Sequence, residues 1–497
     1  MESPEGTHPI WGETLLEYPS LFVSRFYKTN DETQFECPVE FKEQLRIIDN
    51  HPSLVTVSLL EGVLRRARTW DFYEDFAGQK PLPGLMKILH MHCDSHKVFS
   101  HYYGFLCIQL LTTVMHVGTL DSDAPEVQAL RQRLRENSTE HDNSLCLADT
   151  DSGMLWISLQ DPSRGMQRAI LMEAYNSIDG CYYLFYKTGG FSSQDALFLL
   201  EIIWADRKAF MMLCDSIGDE MPGWGILLMA IWHHIKDLED PDILLKRLRN
   251  LLLRYALIVP DMEFSLVVSI AQQIEETASE KWPQTEELPP VDIDDCRNML
   301  RAFNKYLNSA QASQDSGQIM AAPFWLVYRN AFSVLPDEIP LLIGAAIERV
   351  WKILADSAVS TISRIMASFK YAMSAMWALS LVLHTRDQTR RQRRTTATTW
   401  IKLMQDIHFM ELIGRLCSVL VLSTEEGGNG FLISHDQLEE FTECVGALTP
   451  VPTERPIAHV DGAAGSIIVL FAVNLCTGAP VIQRHIEANV WAVVVNF

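Results

Sequence analysis

His90, His92, Cys93, His96 and His101 place four imidazoles and a thiol on one short stretch, with Asp94 inside it. These are the residue types that ligate zinc and other transition metals, and a helix end, a turn and a new helix would bring three of them together. The spacing matches no common zinc module. Histidines near a helix C-terminus also have a plainer explanation, the negative end of the helix dipole. A metal site and a set of solvated or core histidines are both expected readings.

Arg386, Arg390, Arg391, Arg393 and Arg394 form the densest charge feature. Guanidinium groups at this density suit phosphate, a carboxylate-rich partner or a nuclear-import receptor. The plain alternative is a solvated loop between helices ending at Leu383 and restarting at Trp400.

Other patterns fall short of chemistry. Asp149-Thr150-Asp151-Ser152-Gly153 has the form of a phosphatase carboxylate pair, but that chemistry needs a parallel sheet and no βαβ series follows. Asp121/Asp123 and Asp292/Asp294 repeat the same form. Cys214 to Gly218 lacks the first glycine of a nucleophile elbow and lies in helical surroundings. His233 with Asp237 one turn on would make an oriented base, without a nucleophile placed beside it. No phosphate-gripping glycine loop and no paired-histidine zinc helix is found, so no catalytic residue and no cofactor is assigned.

The formal net charge is −22, which repels nucleic acid and anionic membranes at long range, so a protein is the expected partner. Ten cysteines, none in a C-x-x-C pair, do not form a disulfide framework. That pattern and an N-terminus without a basic or apolar region point to an intracellular, cytoplasmic protein, or a nuclear one if the arginines direct import. Tyr371 to Leu383 and Ser466 to Cys476 are the longest apolar runs noted, short of the roughly 20 residues of a membrane span.

The positioning elements read as helices almost throughout. Ser192 with Asp195 three residues on makes a capping pair, and Ala196 to Cys214 carries a helical apolar stripe interrupted at Asp206, Arg207 and Lys208. Gly218 and Pro222 give a stop and a restart. Trp224 to Ile235 is apolar nearly all round, as a buried helix is. A third helix opens at Asp240-Pro241-Asp242, with the acid as cap and the proline first. Around this centre, Val39 to Ile48, Ser53 to Phe76, Leu85 to Cys93 and Lys97 to Val117 are expected as helices, with breaks at Pro81 and Pro83. So are Phe264 to Lys281, Cys296 to Leu307, and a series from Phe324 to Leu448. Met154 to Lys187 has strand propensity at Cys181 to Tyr186, but helical surroundings favour helices there.

The resulting organisation is an irregular arm (1–38), an N-terminal helical region (39–117), an acidic connection (118–153), a central helical region (154–281), a proline-rich link and loop (282–322), a C-terminal helical region (323–448) and an apolar tail (449–497). Trp204-Ala205-Asp206-Arg207-Lys208-Ala209-Phe210, Pro222-Gly223-Trp224 and Ile231-Trp232-His233-His234-Ile235 resemble a pattern in armadillo-like helical proteins of mushroom-forming fungi. That resemblance implies an all-helical fold and carries no assigned activity. The expected fold is all-α, an irregular armadillo/HEAT-like stack of antiparallel helices, or alternatively a globular helical assembly. The expected function is a non-enzymatic protein–protein interaction scaffold. The alternatives are a metal-binding or metal-dependent protein built on the histidine cluster and a nuclear adaptor acting through the arginine loop.

Overall fold

The structure, a computed structural model, describes residues 7–28, 40–67, 80–120, 125–136, 152–159, 170–171, 174–176, 181–217, 223–279 and 291–308, less positions 9, 95 and 260, with scattered positions from 323 to 352. The chain divides into two compact units, residues 1–290 and 291–497. Among the described residues helices dominate, and the class is all-α.

The first unit opens with a hairpin, β1 (Thr7–His8) and β2 (Gly12–Glu13), leading to α1 (Tyr18–Val23). An irregular arm was expected here. Gly12 supplies the left-handed φ of 78° that turns the hairpin. Next come α2 (Phe41–Asn50) and α3 (Val57–Arg66). The Thr56 hydroxyl caps α3 by accepting the Leu59 N–H at 3.3 Å. A single helix from Ser53 was expected; a short 3₁₀ turn, Pro52–Leu54, stands apart instead.

Pro81 was expected as a break, yet it starts α4 (Pro81–Cys93). Proline suits a first helical turn because the N–H groups there have no intrahelical acceptor. The next helix, α5 (Tyr102–Leu120), begins five residues after Lys97, where the sequence reading had placed it. With 19 residues it is long and apolar enough to cross a bilayer by length and composition, a run that exceeds those noted in the sequence. It is buried along its length inside the protein, the environment of a core helix. Two further helices, α6 (Pro125–Glu136) and α7 (152–159), follow.

Helices were favoured between 154 and 187; α7 agrees with this up to 159, and the structure corrects it from 174 onward. β3 (Ala174–Asn176), β4 (Cys181–Leu184) and β5 (Phe191–Ser192) form a small antiparallel sheet in that order. The aromatic pair Tyr182 and Tyr183 fits a pleated surface. Gly189 and Gly190, at φ 114° and 87°, turn the chain into β5.

The central region then runs through α8 (Ser193–Ala205), α9 (Arg207–Ile217), α10 (Trp224–Ile235), α11 (Asp242–Ala256) and α12 (Asp261–Ser279). The capping box is present: Ser192 Oγ accepts the Asp195 N–H at 3.2 Å, and Asp195 Oδ2 accepts the Ser192 N–H at 2.9 Å. The stripe from Ala196 to Cys214 is two helices rather than one. Its break lies at Asp206, whose carboxylate accepts the Phe99 N–H at 3.0 Å. Pro241, not Asp240, takes the cap position of α11, its carbonyl accepting the Leu245 N–H at 2.8 Å.

α11 lies along α12, α8 against α10, and α3 and α4 against α5. Two pairings join helices far apart in the chain, α1 on α9 and α5 on α10. Phe99, Phe210 and Trp224 form the aromatic centre, with ring centroids 5.2 to 6.0 Å apart.

In the second unit, α13 (Ile293–Asn308) is capped by Asp292, whose Oδ1 accepts the N–H groups of Asp294 and Asp295 at 3.0 and 2.9 Å. The helices expected from Val359 onward and the apolar tail lie outside the described residues.

Candidate functional site

Three of the five sequence-selected metal candidates come together. His92 is on the buried face of α4, His96 follows the end of that helix, and His101 precedes α5 and bridges to Thr14 beside the hairpin. Their ring centroids are 5.6 Å (His92–His96), 4.8 Å (His96–His101) and 6.4 Å (His92–His101) apart. Trp11, at the hairpin turn, meets His92 and His96 edge-on at 5.0 and 5.9 Å. Its carbonyl accepts the Tyr103 N–H at 3.0 Å. Gly104 leaves room for this arrangement, because a Cβ there would lie 2.7 Å from His92 Nε2.

The other two candidates are His90 and Cys93. His90 is exposed and stacks on Phe198 of α8 at 3.6 Å. Burial, reinforced by the charges of Asp206 and Asp94, pushes the Cys93 thiol up to about 12. A thiol held there is protonated at neutral pH when no cation is bound. Among the described residues no three His, Cys, Asp or Glu side chains are arranged to hold a metal ion. His92, His96 and His101 pack against one another, and His92 and His96 pack against Trp11, as an aromatic cluster.

Cys214 is fully buried on α9, and burial, then Glu263 and Asp215, push its thiol well above the ordinary range. His233 stacks on Tyr182 at 6.4 Å, and its Nδ1 lies 3.5 Å from Lys236 Nζ. Asp149 and the five arginines from Arg386 to Arg394 lie outside the described residues.

The most fully built polar constellation was not singled out from the sequence. Glu263, in the first turn of α12, is completely buried. Its Oε1 accepts the Gly223 N–H at 2.8 Å, and its Oε2 accepts the Gly225 N–H and the Tyr255 hydroxyl, both at 2.9 Å. Tyr255 Oη in turn accepts the Trp224 N–H at 3.2 Å. From α5, His116 Nε2 lies 3.0 Å from the Gly223 carbonyl, and Gln109 Oε1 accepts the Trp224 indole N–H at 3.0 Å.

Side chains from α5, α11 and α12 thus satisfy the start of α10, whose own cap residue, Gly223, has none to offer. Gly223 stands at φ 80°, and a Cβ there would run into the His116 ring. Burial raises the carboxyl of Glu263 above its ordinary range, against the downward pull of the two N–H groups, His116 and Tyr255. Chemically the constellation is a sealed acceptor for three donors. The sequence signal for it was slight, an acid in a first helical turn beside a Pro-Gly restart.

Asp206 does a similar task. Mostly buried, with its carboxyl raised by that burial, it ties the start of α9 to Phe99. The Phe99 carbonyl also accepts the Tyr18 hydroxyl, at 2.9 Å. The sequence matches no protein-family model, no curated protein and no solved structure at a significant level.

Proposed function

We propose that this chain is a non-enzymatic interaction scaffold, a helical framework that holds a protein partner on its outer surface inside the cell. The observation that carries the reading is how the buried chemistry-bearing groups are used. Glu263 satisfies the start of another helix, Asp206 holds the Phe99 N–H in the turn before α5, and His234 Nε2 lies 2.9 Å from the Phe191 carbonyl. These groups hold elements together, which is the demand a scaffold makes of its interior.

Within the first unit, the finer architecture is read as a globular helical assembly rather than an open armadillo/HEAT-like stack. In a solenoid each unit touches only its neighbours, whereas α1 meets α9 and α5 meets α10. Docking then uses exposed apolar side chains, of which Leu54, Ile157 and Ile243 stand at least half exposed. The net charge of −22 favours a partner surface with basic groups.

The test is affinity capture with the full-length chain, followed by reconstitution of each recovered protein with the purified chain. A stoichiometric complex that is weakened by Ile243→Asp or Ile157→Asp supports the reading. Failure of every recovered protein to re-form a complex overturns it.

A further inference from the structure

The segment from Thr7 to Lys28 engages elements that come much later in the chain. Trp11 meets the Tyr103 ring edge-on at 5.0 Å, and its carbonyl accepts the Tyr103 N–H at 3.0 Å. Tyr18 stacks on Tyr102 and on Phe105, each at 5.6 Å, and donates its hydroxyl hydrogen to the Phe99 carbonyl at 2.9 Å. Phe22 meets Phe105 edge-on at 5.0 Å, and α1 lies on α9. In the π-helical turn that follows, Ser24–Lys28, the Arg25 guanidinium pairs with the buried Glu61 carboxylate of α3. The seat formed by α3, the turn before α5, α5 and α9 thus takes three aromatic rings and, beside them, one cation.

We propose that this seat is also an interaction surface for a second copy of the chain, with two copies exchanging residues 7–28 so that each segment lies on the other's body. The seat itself names the occupant. A second copy brings the same rings and the same guanidinium in the same order, and Glu61 supplies the matching charge. Each contact named above joins the segment to residues from Glu61 onward, so exchange re-forms every one of them across the two copies. The segment joins α2 through residues 29–39 alone, eleven residues that reach about 40 Å at full extension. In the wild type a link this short favours closure on the same body, because it holds the segment at an effective concentration of about a millimolar. Exchange prevails when pairing within one chain is spoiled and pairing between chains is kept.

Reversing the ion pair one side at a time creates that condition. Arg25→Glu and Glu61→Arg each set like charges together when the chain closes on itself. Segments exchanged between the two variants pair opposite charges at both seats. Full-length chains of each variant, carrying different affinity tags, are co-produced and captured through both tags in turn. A 1:1 complex is expected, with a Kd at least about a hundredfold below that of either variant with itself. The chain carrying both substitutions regains its pairing within one molecule and is expected to match the wild type. Recovery of the mixed pair at the level of the like pairs overturns the proposal, as does a doubly substituted chain that associates as tightly as the mixed pair. Should either variant fail to fold alone, rescue decides: co-production must return both as a soluble 1:1 complex, and two chains that stay insoluble together overturn the exchange.

Discussion

Replacing Gly104 with alanine sets two rules against each other. Helix propensity favours alanine over glycine in a helix interior by about 1 kcal/mol. In the structure, a Cβ at Gly104 would collide with the Val98 carbonyl oxygen and lie 2.7 and 2.9 Å from His92 Nε2 and Cδ2. The carbonyl belongs to the backbone and has no rotamer to yield. His92 is fully buried and packed by Trp11, so its ring has little room to retreat. Overpacking of this kind costs about 1–3 kcal/mol, and a backbone collision belongs at the upper end. The expected net effect is a loss of about 2 kcal/mol.

Gly118, on the same helix, is the control. Its Cβ would meet the Phe185 ring edge at 3.2 Å and the Thr188 hydroxyl at 3.4 Å, both side-chain atoms. Gly118→Ala is therefore expected within about 0.5 kcal/mol of wild type. Calorimetry of the full chain reads both variants, with the two units followed as separate transitions. Gly104→Ala should lower the first unit's midpoint by about 4 °C or more. A midpoint at or above wild type would refute the packing of His92 against Gly104.

Three further outcomes follow from single sites. Ser192→Ala should cost about 1 kcal/mol and speed exchange in the first turn of α8, because the capping box loses its hydroxyl; unchanged exchange there would remove the box. With its thiol near 12, Cys93 presents about one thiolate in ten thousand at pH 8. Alkylation mapped by mass spectrometry should be far slower in the folded chain than in the unfolded one, and equal rates would refute the burial. Metal analysis of wild type and of His92→Ala/His96→Ala is expected to give equal contents, since ring packing accounts for the cluster. Stoichiometric zinc lost in the variant would restore the metal-dependent reading.

What could be read from the sequence was local. The Ser192–Asp195 pair is three residues apart and its bonds close within one turn, so pattern alone places it. The apolar circumference of Trp224 to Ile235 likewise implied burial on every side, and only His233 in that helix is less than fully buried. The break at Asp206 was visible only as an interruption, because the amide it binds lies 107 residues earlier. The three-stranded sheet was masked by its own brevity, since strands of two to four residues offer too few alternations to outweigh helical surroundings. For the histidines, spacing alone could not tell which way each ring turns around the end of α4, and His90 and His92 go to different neighbours.

Glu263 shows why residue type is a poor guide to reactivity in a chain like this one. In the sequence it is one acid among many at a helix start, where acids are common because they suit the dipole of their own helix. In the fold it serves a different helix, whose N–H groups lie 40 and 38 residues earlier, and that service requires it to be dry. Dryness is also what raises its carboxyl, so a group that looks tuned for acid–base work owes that tuning to architecture. The same holds for the thiols of Cys93 and Cys214, pushed up chiefly by burial. What the raised groups share is burial, at a helix start for Glu263 and in a helix interior for Cys107.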